Sequence, residues 1–112
     1  MKYTDIEEFK IVNGKFRESQ LKLDEYIQIL IDYITSNVKL NVVDSDLYFM
    51  YHIAFIDSAY NKNDNTFWFM FVILVARDGE FAYNEIVRIT TSYKDILNNK
   101  VDDVVHSLGI GG

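Results

Sequence analysis

The sequence predicts an α+β fold: a three-stranded antiparallel meander sheet flanked by two main helices, with a short N-terminal β-hairpin. Three observations carry this. Thr66–Ala76, TFWFMFVILVA, is the longest apolar run and is rich in aromatic and β-branched residues, as a buried strand requires. Asp78-Gly79 follows it at once, a dipeptide suited to a tight hairpin turn. Apolar residues at helical spacing lie before and after the strand region, so helices flank the strands without alternating with them.

Glu8–Arg17 contains Asn13-Gly14 between short arms whose apolar residues are Phe9, Ile11 and Phe16. Asn-Gly accepts the positive φ of a type I′ turn, so a small hairpin is expected. Ser19–Val38 is expected to be a helix capped by Ser19. Leu23, Ile27, Leu30, Ile31, Ile34 and Val38 give its stripe, and Tyr26, Ile29 and Tyr33 widen it. Such an arc suits contact with more than one neighbour. Asn41–Asp46 reads as a loop, followed by strands at Leu47–Tyr60, Phe67–Arg77 and Phe81–Thr91. Ser92-Tyr93-Lys94-Asp95 resembles a capping box. It opens a second helix with Leu97, Val101, Val104, Val105 and Leu108 as its stripe and Gly109 beyond its end. Residues 1–112 are expected to form one domain, with 109–112 as a frayed tail.

Strict alternation assigns the two sheet faces. A two-residue turn pairs Arg77 with Glu80, which sets Leu74 against Tyr83 and Trp68 against Ile89. Pairing Tyr60 with Thr66 sets Ala54 against Val72 and His52 against Leu74. One face then holds His52, Ala54, Ile56, Trp68, Met70, Val72, Leu74, Tyr83, Glu85, Val87 and Ile89, and this more continuous surface is expected beneath the helices, with Trp68 buried. The other holds Phe55, Asp57, Phe67, Phe69, Phe71, Ile73, Asn84 and Arg88. If both helices share the first face, the second is an exposed apolar patch suited to an interface, and a homodimer is expected. One helix on each face is the alternative.

Composition narrows the function classes. The chain is 49% hydrophobic and 25% charged, which is globular in type. It has no cysteine and no proline, so disulfides, thiolate metal sites and proline-rich ligands are excluded. The start, MKYTDIEEFK, lacks the basic and apolar regions of a signal peptide, and no apolar run is long enough to span a membrane as a helix. A cytoplasmic location without membrane contact is expected. The net charge of −6 disfavours direct nucleic-acid binding, which rests on Lys and Arg against phosphates. A protein partner with a basic surface suits it better. The lean toward Ile, Asn, Lys, Asp and Tyr fits an AT-rich coding sequence, as in a low-GC bacterium or its phages.

Constellations for chemistry are few. Asn61–Asn65 lacks the Gly and Glu that a calcium loop needs at its sixth and twelfth positions, where Thr66 and Val72 stand. With two histidines and no pair at helical spacing, no metal site and no cofactor are expected. His106 falls opposite the stripe of the last helix and is expected at the surface. His52 beside Glu85 and Tyr83 is the one acid–base grouping, without a nucleophile or oxyanion site beside it. The helix–three strands–helix order resembles that of double-stranded-RNA-binding domains in topology alone. Those domains carry a lysine cluster at the start of the last helix, and Ser92–Leu97 holds one Lys and one Asp.

The expectation is therefore a small acidic protein-binding module, in its sharpest form an inhibitor of a nucleic-acid-handling enzyme encoded by a phage or mobile element. Phe55, Asp57, Phe69 and Arg88 are its first candidate contacts, and Asp44 and Asp46 a second acidic set. The alternatives are an oligomeric component of a phage particle and a small enzyme using His52 with Glu85 or Tyr83.

Overall fold

A computed structural model describes residues 16–42, 45–61, 63, 66–102 and 104–111. Helix α1 (Phe16–Asn37) is followed by a 3-10 turn (Ser45–Leu47), strands β1 (Tyr48–Asn61), β2 (Thr66–Arg77) and β3 (Glu80–Ser92), a short helix α2 (Tyr93–Leu97) and strand β4 (Val105–Gly111). The strands form an antiparallel sheet in the order β1-β2-β3-β4. The α+β class and the meander stand, with a fourth strand added. The hairpin expected at 8–17 lies outside the described residues except for its last two, which belong to α1.

Long apolar strands and one amphipathic helix make the core. In β2, Phe67, Phe69, Phe71, Ile73 and Val75 are buried, while the residues between them are half-buried. Leu23, Tyr26, Leu30, Ile34 and Val38 of α1 and its C-terminal flank cover that face, and the Tyr26 and Phe69 rings lie 6.0 Å apart. Each such Leu or Ile contributes about 1.5–3 kcal/mol by leaving water. Helix α1 therefore lies on the face opposite to the one expected. Phe69 is core, and Trp68 is half-buried on the open face.

Irregular residues explain the exchange of faces. The turn is as expected: Asp78 and Gly79 have φ of 55° and 78°, and Arg77 pairs with Glu80. An irregularity then sets Ala76 against Phe81 but Val75 against Tyr83. The extra residue, Ala82, shifts every later pairing by one. Strand β1 has two further irregularities, at Tyr51 and Ile56. The second restores the expected pairing of Ala54 with Val72 and His52 with Leu74, although Tyr60 pairs with Phe67.

The expected last helix stops after one turn and becomes β4. Ser92 does cap it, its Oγ accepting from the Asp95 N–H at 3.1 Å. The Asn99 backbone then turns left-handed, with φ of 54°, and the Lys100 N–H returns to the Asp95 carbonyl at 2.9 Å. Tyr26 fixes this corner from α1: its hydroxyl donates to the Lys100 carbonyl at 2.6 Å and lies 3.0 Å from Thr91 Oγ1. Ile96 is buried beneath it. Beyond the corner the chain pairs along β3, with Leu108 against Val87 and His106 against Ile89. The tail expected to fray at 109–112 is thus strand as far as Gly111. His106 is exposed as expected, but on a strand and not a helix, and its Nδ1 lies 2.8 Å from the Tyr33 hydroxyl of α1.

Candidate functional site: an aromatic end with an acidic rim

The expected contact residues do not form one surface. Phe55 is half-buried on the helix-covered face, its ring 5.7 Å from that of Phe71 and 6.4 Å from that of Phe69. Phe69 is fully buried, so it offers no contact to a partner. Asp57 and Arg88 are both paired with Met70, on the opposite face. The Arg88 guanidinium sits 4.8 Å from the centre of the Trp68 ring, a cation–π contact. Asp44 lies outside the described residues. Asp46 is exposed on the 3-10 turn that enters β1.

The acid–base grouping is also divided. His52 is exposed and opposite Leu74, on the open face. Glu85 is fully buried on the helix-covered face. Its two carboxylate oxygens accept from the Asn41 N–H at 3.1 and 3.0 Å, and Oε2 also accepts from the Tyr83 hydroxyl. Burial, and then that hydrogen bond, raise the Tyr83 pKa above its ordinary value. Glu85 therefore holds the chain leaving α1 to the sheet. The sheet stands between it and His52, because the extra residue Ala82 turned Glu85 toward the helix. Among the described residues no group of three or more His, Asp or Glu gathers as a metal site would need, and no helix is long and apolar enough to cross a membrane.

The chemistry with most surface to offer lies at the turn end of the sheet. Phe49, Ala76 and Phe81 form one row across β1, β2 and β3. Leu47, Phe49, Tyr51 and Phe81 are 48%, 50%, 50% and 58% exposed, whereas Ala76 between the two phenylalanines is 3% exposed. A small residue flanked by two aromatics makes the floor of a cleft of ≈ 390 Å³, lined by Phe49, Tyr51, Ala76, Gly79, Glu80 and Phe81. Glu80 in its lining and Asp78 beside Gly79 in the turn are exposed, as is Asp46 on the 3-10 turn that enters β1. The one arginine of this end, Arg77, is occupied: its Nε is 3.8 Å from Asp78 Oδ2, its Nη1 donates to the Tyr48 hydroxyl at 3.3 Å, and its guanidinium lies 5.4 Å from the Tyr48 ring centre. The turn register sets Phe81 against Ala76 as expected, but alternation cannot bring Phe49 there, since Phe49 meets Ala76 only through the irregularity at Tyr51. The usable signal was the turn itself, which sets Phe81 beside Ala76 on the face opposite α1.

In comparisons with known proteins, no family model, no curated protein and no solved structure matches this chain.

Proposed function

We propose that this protein acts by binding another protein at the aromatic end of its sheet. The carrying observation is the group of exposed Phe49, Tyr51 and Phe81 around the buried Ala76. Glu80 is in the lining, Asp78 is in the turn ahead of it, and Asp46 and Leu47 are exposed just ahead of β1. Aromatic anchors that fill a partner's pockets supply most of the energy of such contacts. The acidic rim and the −6 net charge suit a basic partner and speed its approach. A nucleic-acid-handling enzyme, whose own groove is basic, is the partner class this chemistry fits, and blocking that groove is the function it supports. Of the acidic residues expected as contacts, Asp46 keeps its place in this reading. The test is capture of a partner by the intact protein, repeated with Phe49→Ala and Phe81→Ala. The expected result is at least a tenfold loss of affinity for each. Unchanged affinity in both variants rejects the site.

A second reading, an oligomeric component of a particle, draws support from the open face. Trp68, Met70, Val72 and Leu74 are only half-buried there, with Ile86 beside them. Assembly into a defined ring or larger oligomer without a partner would favour it.

A further inference from the structure

The two edges of the sheet are built differently. Strand β1 carries irregularities at Tyr51 and Ile56 along its length, with the charged Asp57 beside the second. Such features break the regular row of N–H and C=O groups that an edge offers to a foreign strand. Strand β4 has none of them. Its pairing with β3 runs without a shift from Val105 to Gly111. Its sequence, VHSLGIG, contains no lysine, arginine, aspartate, glutamate or proline. Among the described residues its outward edge is the last in the sheet order, and Val105 on it is 68% exposed.

A regular strand edge specifies another strand, because only a strand matches its spacing of donors and acceptors. We propose that the occupant is β4 of a second copy of this chain, paired antiparallel about a two-fold axis near its middle. Charge permits this occupant at β4 and opposes it elsewhere. A chain of net charge −6 repels its own copies over most of its surface, and β4 is a stretch where two copies meet with no charged side chain opposed. Antiparallel self-pairing keeps the acidic Asp102-Asp103 of each chain outside the paired strands. It also sets the exposed Val105 against a glycine of the partner strand, Gly109 or Gly111, which leaves room for it. Pairing β4 with β1 of a neighbour is disfavoured, since the β1 irregularities interrupt the ladder and a head-to-tail contact does not close. The outcome is one continuous sheet across two chains, with an aromatic end on each. The proposal does not depend on the protein-binding reading, because its test involves no partner and none of the residues of the aromatic end.

The experiment is sedimentation equilibrium of the intact chain from 1 to 100 μM, compared with the double variant Val105→Lys, Ser107→Lys. Both side chains are exposed, and lysines on an edge are a common block to strand pairing. The wild-type protein is expected at twice the 13.1 kDa of one chain, and the variant at 13.1 kDa with an unchanged circular dichroism spectrum. A wild-type monomer at 100 μM overturns the proposal, as does a folded double variant that stays dimeric. If the variant does not fold, amide exchange of the wild-type chain decides. Protection of the outward-pointing amides of Val105–Gly111 that rises with protein concentration supports the two-fold pairing. Protection independent of concentration, or gained only on adding another protein, overturns it.

Discussion

The helix-covered half of the sheet and its turn end use the same residue types for opposite purposes. Under α1, Phe67, Phe69 and Phe71 are shielded by Tyr26, Leu30 and Ile34. At the turn end, no helix among the described residues lies above Phe49, Tyr51 and Phe81, which are half or more exposed. The difference arises because Ala76 follows Trp68, Met70, Val72 and Leu74 by alternation, which puts the row Phe49–Ala76–Phe81 on the face opposite α1. The sheet itself is the boundary, and Glu85 holds the chain just after α1 to its covered side through the Asn41 N–H. Aromatic residues on one side of that boundary stabilise the fold, and those on the other are free to meet something else. Substitutions should therefore separate stability from binding according to which side they fall on.

The largest effect is expected inside the covered half. Phe69→Ala removes a fully buried ring that touches both Tyr26 and Phe55. It should cost about 3–5 kcal/mol, read as a lower urea midpoint with the same slope. A loss below about 1 kcal/mol would mean that the face assignment is wrong.

On the covered side, Glu85→Ala leaves the Asn41 N–H and the Tyr83 hydroxyl without their acceptor. Asn41 is exposed and Tyr83 half-buried, so water can replace part of the loss. The expected cost is about 1.5–3 kcal/mol, the range for hydrogen bonds to a charged group. Glu85→Gln keeps one acceptor oxygen and should recover part of it. Equal stability of the Ala and Gln variants would show that the Asn41 contact contributes nothing.

Alkaline pH probes the covered half without substitution. Burial is the first cause that raises the pKa of Tyr26, Tyr83 and Tyr93 above the ordinary 10.0. Below pH 10 these phenols are protonated in both folded and unfolded chains, so their contribution is whole. Above pH 10 the unfolded chain releases protons that the folded chain retains, and stability falls as pH rises. Ultraviolet titration should show Tyr26, Tyr83 and Tyr93 ionising only above pH 10 or on unfolding. Simultaneous ionisation of all eight tyrosines near pH 10 would contradict the burial.

Much of this architecture was legible in the residues. The apolar run at 66–76, the Asp78-Gly79 turn and the 3.6-residue stripe of α1 each have one dominant physical reading, and each appears where expected. The face assignment failed because alternation assumes one residue per pairing step. Single extra residues such as Ala82 carry no signal of their own. The last helix failed for another reason. Val101, Val104, Val105 and Leu108 fit a helical template, but the Asn98-Asn99 pair stops the helix and Tyr26 holds the corner from far along the chain. Phe55 and Phe69 left the candidate site with the exchange of faces. Asp46 stayed in it because its position depended only on the start of β1.

The smallest effect on stability is expected at the turn end, and there the contrast is sharpest. Phe81 is 58% exposed, so Phe81→Ala should change stability by less than about 0.5 kcal/mol. The same substitution removes one wall of the cleft over Ala76 and should weaken partner binding at least tenfold. Asp46→Lys touches neither the core nor the cleft floor. Its effect should fall on the association rate, because a rim charge acts over the approach and not in the final contact. Raising salt shortens the reach of that charge to about 8 Å near physiological ionic strength. The wild-type association rate should fall as salt rises, and the Asp46→Lys rate should start lower and depend less on salt. Equal salt dependence in the two proteins would remove the acidic rim from the reading while leaving the aromatic contacts in place. A stability loss above about 2 kcal/mol for Phe81→Ala would instead place that ring in the core and erase the boundary.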